Sequence, residues 1–173
     1  MRNLLRKWGW TRKTLVRRHV RRANRWKIAW FRRKIRRLIK EKRDQGYVIG
    51  VQDETIVTAD ARPHRMYTKK TGAPISVTGS YSKTIVFGFI TTDNSGFFER
   101  YERFTKVEFT DFLWKVHQKF GKVLIIADRA PQHKARIVGE ALKEMKGDVE
   151  LAFLPPGCPH LSAIEEVWWQ MKH

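Results

Sequence analysis

The chain has 173 residues and carries 36 Lys and Arg against 17 Asp and Glu, a formal charge of +19. This length accommodates one domain with a hydrophobic core and an appendage. The single cysteine, Cys158, excludes an internal disulfide and a cysteine-based zinc cluster. No apolar run approaches the roughly 20 residues of a membrane-spanning helix, so we expect a cytoplasmic protein with no membrane partner.

The positive charge is concentrated at one end of the chain. Residues 1–45 hold 19 Lys and Arg against Glu41 and Asp44, a formal charge of +17, whereas the remaining 128 residues are nearly neutral. A basic arm of this kind attracts a polyanion through counterion release. A merely solvated helix and an anionic membrane surface are the alternatives. Arg greatly outnumbers Lys in the arm, and because Arg binds phosphate in a bidentate manner, nucleic acid is the favoured partner.

The arm predicts three helical segments. Residues 2–22 indicate two short helices, with Thr11 as the N-cap of the second, similar to the later half of a helix-turn-helix. Residues 24–43 predict a longer helix, because apolar residues recur at three- and four-residue spacing. That apolar stripe consists of Ile28, Phe31, Ile35 and Leu38. We expect the arm to bind DNA through Arg12, Lys13, Arg17, Arg18, Arg21, Arg22, Arg32, Arg33, Arg36 and Arg37.

The nearly neutral part predicts a mixed α/β domain. Its apolar, β-branched runs predict strands at 47–52, 75–79, 84–91, 96–101, 123–127 and 149–154. Helices are predicted at 105–120, at 131–146 and from Leu161 to the end. A strand meander followed by alternating helices and strands is the element order of a ribonuclease H-like fold, which the pattern alone leaves as one of several mixed α/β options.

Three carboxylates occupy positions typical of a metal site. Asp53 and Asp128 each close a predicted strand, and Glu165 lies in the final helix. Mg²⁺ prefers oxygen ligands, and two such ions can activate a nucleophile and stabilise a leaving oxygen in phosphoryl transfer. The alternatives are an N-cap role for Asp128 and a surface position for Glu165. Asp53 and Glu54 point to opposite faces of a strand, so only one of them can face the cleft.

Two further features near these carboxylates allow more than one interpretation. His133 follows Asp128 by five residues and can contact a substrate phosphate or assist proton transfer, but a surface position on a helix is the favoured interpretation. Ile164, Trp168 and Trp169 are expected to dock the last helix on the domain rather than to stack on bases.

Three motifs give the chain a specific resemblance. They are Val51-Gln-Asp-Glu54, Ile125-Ile-Ala-Asp-Arg-Ala-Pro-Gln-His133 and Pro155-Pro-Gly-Cys-Pro-His-Leu-Ser-Ala-Ile-Glu-Glu-Val-Trp168. Their order, with 36 residues between Asp128 and Glu165, resembles transposases of the mariner superfamily, in particular its prokaryotic insertion-sequence branch. The family's usual forms are a strand ending in Asp-Glu, a strand ending in Asp-Asn-Ala-Pro-x-His, and a Leu-Asn-Pro-Ile-Glu-x-x-Trp helix.

The resemblance implies a function and a site. Asp53, Asp128 and Glu165 would form the catalytic triad that holds two Mg²⁺ or Mn²⁺ ions, with Glu165 chosen over Glu166 because it directly follows Ile164. The implied reaction is cleavage of transposon ends in double-stranded DNA, followed by strand transfer to target DNA. The resemblance also implies a homodimer during synapsis and a nucleoid-associated location in the cytoplasm.

The resemblance further divides the chain into three segments. Residues 1–22 would be a partial helix-turn-helix-like DNA-binding segment, 23–45 a basic linker helix and 46–173 the ribonuclease H-like catalytic domain. We expect a copy shortened at both ends. The chain departs from the family pattern at Arg129, where Asn is usual, and at Ser162-Ala163, where Asn-Pro is usual.

Two other functions stay open at this point. One is a truncated remnant that binds DNA through the basic arm without cutting it. The other is a host nuclease of the same ribonuclease H-like fold, such as a junction resolvase.

Overall fold

The computed structural model describes residues 4, 7–9, 23–58, 82–158 and 161–172. The strand predicted at 75–79 and nearly all of the helix pair predicted at 2–22 lie outside these residues. Within the described part of the chain, no helix is long and apolar enough to cross a membrane.

The basic arm ends in a long amphipathic helix, α1 (Arg25–Asp44), as the apolar spacing predicts. Asn24 caps it, because its side-chain oxygen accepts a hydrogen bond of 2.9 Å from the Lys27 N–H. The apolar stripe packs against the sheet through Phe31, Ile35, Leu38 and Ile39. Its start is tied to the loop before the last helix, since the Ala23 N–H donates to the Pro156 carbonyl oxygen at 2.9 Å.

Five strands form one mixed sheet. They are β1 (Val48–Thr58), β2 (Lys83–Thr91), β3 (Gly96–Tyr101), β4 (Val123–Ala127) and β5 (Val149–Phe153), in the spatial order β3-β2-β1-β4-β5. The first three strands are antiparallel, whereas β4 pairs in parallel with both β1 and β5. The parallel pairs require crossover connections, which the intervening helices supply. The mixed α/β class is therefore confirmed.

Helices cover both faces of this sheet and bury two cores. On one face, α2 (Lys106–Phe120) and α3 (Arg136–Glu144) cover a core that includes Phe87, Phe89, Phe109, Phe112, Leu113, Val123, Ile125 and Val138. On the other face, α1 covers a smaller core formed by Ile49, Leu124, Ile126 and Leu154. The last helix, α4 (Ile164–Lys172), lies on this second face and packs Trp168 against Gly88 of β2.

The first strand is longer than the sequence predicts. The expectation that Asp53 closes it is wrong, because β1 continues to Thr58. Its parallel pairing with β4 ends at Val51, opposite Ile126, but its antiparallel pairing with β2 continues to the end. Asp53 therefore lies inside β1, two residues beyond the point where the pairing of β1 with β4 ends.

Two helix predictions also need correction. The helix predicted at 131–146 is a 3₁₀ turn, Pro131–Lys134, followed by α3, because the intervening Ala135 is extended at ψ 151°. This break lets the His133 ring point into the core. The last helix begins at Ile164, after a turn in which the Leu161 N–H donates to the Cys158 carbonyl oxygen at 3.1 Å.

Candidate active site

Asp53 is held between a strand and the last helix. Strand alternation places it on the same face of β1 as Ile49 and Val51, and the indole Nε1 of Trp168 donates a hydrogen bond of 3.0 Å to its Oδ2 atom. Trp168 is itself buried. The hydrogen bond fixes one carboxylate oxygen of Asp53.

The electrostatic surroundings of Asp53 disfavour its negative charge. Burial, followed by repulsion from the neighbouring Glu54 carboxylate, raises the pKa of Asp53 to about 6, and Asp128 adds to the repulsion. Hydrogen bonds from the Glu54 backbone and the Trp168 indole act in the opposite direction but are smaller. The register of β1 and β4 places both carboxylates two residues beyond the Val51–Ile126 pair, at the same edge of the sheet, so both would gain from a nearby cation.

Asp128 directly follows β4 and is tethered by one oxygen. Its Oδ1 atom accepts the Ala130 N–H at 2.8 Å and lies 2.9 Å from Nδ1 of His133. The hydrogen bond with His133 is the largest cause that lowers the pKa of Asp128 below the ordinary value. The side chain is still 57% exposed. Asp128 thus caps a local turn and also presents a charged carboxylate at the surface.

Glu54 occupies the opposite face of β1 from Asp53. Its side chain is 9% exposed, and its Oε1 atom accepts a hydrogen bond of 2.8 Å from Gln52 Nε2 and lies 2.9 Å from His133 Nε2. The expectation that one of the two adjacent carboxylates faces the cleft and the other is solvated or ion-paired is resolved here. Asp53 is the residue near Asp128, and Glu54 is ion-paired inside the domain.

His133 is buried, so the favoured prediction of a surface histidine is wrong. The side chain is 1% exposed, and the ring packs on Phe109 with centroids 4.1 Å apart. Burial acts to lower the pKa of His133, but hydrogen bonds to Asp128 and Glu54 outweigh it and raise that pKa to about 9. The imidazolium therefore links two carboxylates that lie on different strands.

Glu165 and Glu166 are both exposed in the first turn of α4. The buried residues of this helix are Ile164 and Trp168, as predicted, whereas Trp169 is 58% exposed. Among the described residues, no group of three or more His, Cys, Asp or Glu side chains is arranged to hold a metal ion. The strand register thus places Asp53 and Asp128 each two residues beyond the Val51–Ile126 pair of β1 and β4, and with Glu165 they do not form a three-residue metal-binding group.

The pair that is assembled suits a hard divalent cation. Both donors are carboxylates, and Mg²⁺ commonly uses one or two protein carboxylates together with water and substrate phosphate oxygens. The raised pKa of Asp53 shows that its immediate surroundings do not fully compensate its charge. Arg129, whose fixed charge follows Asp128 in the chain, donates its Nε–H to the Leu154 carbonyl oxygen at 2.9 Å.

A basic surface accompanies the site. Arg32, Arg33, Arg36 and Arg37 of α1 are all exposed, on the side of the helix that does not pack on the sheet. The other six residues predicted to bind DNA, from Arg12 to Arg22, lie outside the described residues. These four arginines form one exposed patch along about 8 Å of the helix axis, in the middle of a 20-residue helix.

Comparison with known families identifies the class of protein. The profile of the DDE superfamily endonuclease family matches residues 48–173. The match covers well over half of the chain, and the chain belongs to this family. No curated protein is similar to the chain by sequence.

Solved structures share the fold. The Mos1 transposase paired-end complex with left transposon end has a TM-score of 0.63 at 18% identity, and the match covers 99% of this chain and 55% of that one. The Mos1 mariner paired end complex with Mn gives 0.61 at 19%, with coverage of 99% and 55%. The simian T-cell lymphotropic virus intasome in complex with PP2A regulatory subunit B56 gamma gives 0.51 at 15%, with 71% and 37%.

These similarities establish the predicted ribonuclease H-like architecture of the five-stranded domain. The chain spans about half the length of the Mos1 chains that it matches.

The sequence alone does not identify the roles of four residues at the site. Gln52, Glu54 and the inward His133 were not assigned a joint role. A signal was present, because alternation places Gln52 and Glu54 on one face of a strand whose neighbours are apolar, and buried polar side chains require partners. The role of Trp168 as a donor had no comparable signal in the sequence.

Proposed function

We propose that this chain is a transposase of the mariner type, of the insertion-sequence branch that its motifs resemble. It would catalyse metal-dependent cleavage of transposon ends and transfer of the freed strand to target DNA. The observation that carries the proposal is the placement of Asp53 in β1 and Asp128 directly after the neighbouring β4, each two residues beyond the last registered pair of these strands, in a DDE superfamily endonuclease domain. Proteins of the same fold solved as complexes with transposon ends, and with Mn or Mg, support it.

In this proposal, Asp53, Asp128 and Glu165 hold two Mg²⁺ or Mn²⁺ ions. The ions would supply Lewis-acid activation of the attacking oxygen and charge stabilisation at phosphorus. Trp168 would orient the Asp53 carboxylate, and the Ala130 N–H would orient that of Asp128. Since Glu165 lies on α4, close to the residues that touch Asp53, a small rearrangement of this helix on DNA binding would bring it to the pair.

The exposed arginines of α1 would hold the DNA backbone near this edge of the sheet. Arg33 and Arg37 lie one helical turn apart, so both can contact phosphates along one strand. As in the family that the motifs resemble, synapsis of two transposon ends would require a homodimer. A protein with this substrate would act at the nucleoid.

The proposal is tested by nicking of supercoiled plasmid at low salt with Mg²⁺ or Mn²⁺. We expect nicking by the purified chain that EDTA and Asp128→Asn each abolish. Asp93→Asn changes an exposed turn carboxylate to the same amide and is the matched control, which retains activity. Equal nicking by Asp128→Asn and the unaltered chain would refute the catalytic assignment.

A second function is favoured by one specific observation. Among the described residues, Asp53, Asp128 and Glu165 do not form a three-residue metal-binding group, and a chain without such a group would bind DNA through α1 without cutting it. Salt-sensitive DNA binding in the absence of metal-dependent nicking is the result expected for such a protein. The nicking assay combined with a binding assay therefore separates the two functions.

A further inference from the structure

A buried carboxylate lies directly behind the proposed metal site. Glu54 is on the face of β1 opposite to Asp53, and its side chain is only 9% exposed. A buried carboxylate is costly unless charged or polar partners compensate it. Its partners here are the amide of Gln52 at 2.8 Å and the imidazole of His133 at 2.9 Å.

His133 connects the buried Glu54 to Asp128, a residue of the proposed metal site. Its second ring nitrogen, Nδ1, lies 2.9 Å from Oδ1 of Asp128. The ring is 1% exposed and rests on Phe109, and the 3₁₀ turn that begins at Pro131 positions its backbone. His133 is therefore fixed on three sides, and the exposed Asp128 carboxylate is attached to it.

We propose that Glu54 and His133 form a supporting pair that positions Asp128 for metal binding. Oδ1 of Asp128 is hydrogen-bonded to His133 and to the Ala130 N–H, so Oδ2 is the oxygen that would bind the cation. The inference rests on the proposed function, because it requires Asp128 to be a metal ligand. Neither Glu54 nor His133 needs to touch the ion or the DNA.

The physical basis is the restriction of a mobile side chain. A 57% exposed aspartate samples several rotamers, and ordering it on metal binding costs free energy. A rigid partner removes part of that cost in advance. Partners that orient metal ligands in this way typically change metal affinity or activity by about 10–100-fold when they are removed.

The burial of Gln52 supports a specific role for the pair. Its side chain is 1% exposed, and its Oε1 atom is buried without a hydrogen-bond partner, while its Nε2 atom donates to Glu54. An unsatisfied buried acceptor has a cost that an apolar residue at this position would avoid. The Gln52 amide therefore orients Glu54 through a hydrogen bond that an apolar side chain could not make.

The test measures Mn²⁺ binding to the full chain, with free Mn²⁺ followed by electron paramagnetic resonance. We expect Glu54→Gln and His133→Gln each to raise the Mn²⁺ dissociation constant about 10–100-fold. Glu99→Gln is the matched control, because it changes a half-buried glutamate of β3 that forms an ion pair with Lys115 of α2. It retains the affinity of the unaltered chain.

Two further readouts separate positioning from a folding defect. Circular dichroism confirms that the variants compared are folded. In the nicking assay, a positioning role moves the Mn²⁺ concentration for half-maximal activity upward, whereas partial unfolding lowers only the plateau. The charge-preserving variant Glu54→Asp, with its shorter side chain, is expected to recover part of the Mn²⁺ affinity that Glu54→Gln loses.

Unchanged Mn²⁺ affinity in both folded variants, Glu54→Gln and His133→Gln, would overturn the inference while leaving the proposed function intact. Absence of Mn²⁺ binding by the unaltered chain would overturn it as well. If Mn²⁺ binds and the affinities differ as expected but no plasmid is nicked, the proposed function fails and the positioning role stands.

Discussion

The indole Nε1 of Trp168 donates a hydrogen bond of 3.0 Å to Oδ2 of Asp53, so the last helix is attached to the first strand at a carboxylate of the candidate site. The contact depends on Gly88, which pairs with Asp53 in the register of β1 and β2 and leaves room for the indole ring. The position of α4, and with it that of Glu165, is therefore coupled to Asp53.

Replacing Gly88 with Ala tests this coupling. A Cβ atom there would lie 2.4 Å from Trp168 Cη2 and 3.0 Å from Ile164 Cδ1, so the helix must shift. We expect a loss of about 1–3 kcal/mol in the free energy of unfolding, measured with urea, and a marked loss of nicking. Gly139→Ala on the exposed face of α3 is the control, since nothing lies within 4 Å of its new Cβ. It is expected to be neutral or to stabilise by up to about 1 kcal/mol. Similar effects of the two substitutions would contradict the coupling.

Asp53→Asn is expected to stabilise the metal-free protein. The folded-state pKa of Asp53, about 6, lies above the unfolded value of about 3.9. The folded state therefore binds the proton more tightly, and Asp53 lowers stability progressively as pH rises between these values. At pH 7.5 in EDTA, we expect Asp53→Asn to be more stable by about 1–3 kcal/mol, with the difference vanishing near pH 4.

Two comparisons make this prediction specific. We expect Asp93→Asn to give no gain in the free energy of unfolding, because a hydrogen bond with the Thr91 hydroxyl lowers the pKa of Asp93. Added Mg²⁺ is expected to stabilise the unaltered chain and not Asp53→Asn. The difference in free energy of unfolding between the two proteins at pH 7.5 would then become smaller. Chemical unfolding at several pH values measures both effects, and a less stable Asp53→Asn at pH 7.5 would refute the assigned electrostatics.

Lys42 is expected to attach α1 to the sheet. Its Nζ atom forms a salt bridge with Glu150 of β5, its side chain is 12% exposed, and it lies over the Tyr47 ring. We expect Lys42→Met to lower the free energy of unfolding by about 1 kcal/mol, because Glu150 loses its ion-pair partner and, among the described residues, keeps only the Tyr47 hydroxyl at 3.4 Å. Lys40→Met removes the same charge at an exposed position of the same helix and is expected to have little effect. Equal unfolding midpoints for the two variants would contradict this role.

The basic face of α1 is expected to determine the salt dependence of DNA binding. Replacing Arg33 and Arg37 with Ala removes two exposed cations, so the slope of log affinity against log salt becomes shallower by up to about 2. Arg136→Ala with Lys143→Ala removes the same charge on the opposite face of the sheet and leaves the slope unchanged. Fluorescence anisotropy at several salt concentrations measures the slopes, and equal slopes for the two pairs would argue against α1 as the DNA-binding face.

Local sequence predicted the elements well where an apolar run has clear limits. The strands at 96–101 and 123–127 have the predicted bounds, because turn residues flank both runs. Local sequence failed at Asp53, where the charged residues Asp53 and Glu54 predict the end of the strand. The continuous antiparallel pairing with β2 outweighs their low strand propensity and extends the strand to Thr58.

At the candidate site, too, local sequence predicts some features and leaves others to the tertiary structure. Alternation along β1 requires Asp53 and Glu54 to face opposite sides, but no local pattern indicates which one lies near Asp128. The ion pair of Glu54 with His133 joins residues that are 79 positions apart, so no local sequence pattern predicts it.

The sequence by itself determined the separation of a basic arm from a nearly neutral domain, the order of the elements and the positions of the acidic motifs. These properties follow from charge, periodicity and local backbone preference, which act between near neighbours. Only the tertiary structure decided that Trp168 donates to Asp53, that His133 is buried and that Asp53, Asp128 and Glu165 do not form a three-residue metal-binding group. Such contacts join residues far apart in the chain, and they depend on strand register and on the packing of helices across the sheet.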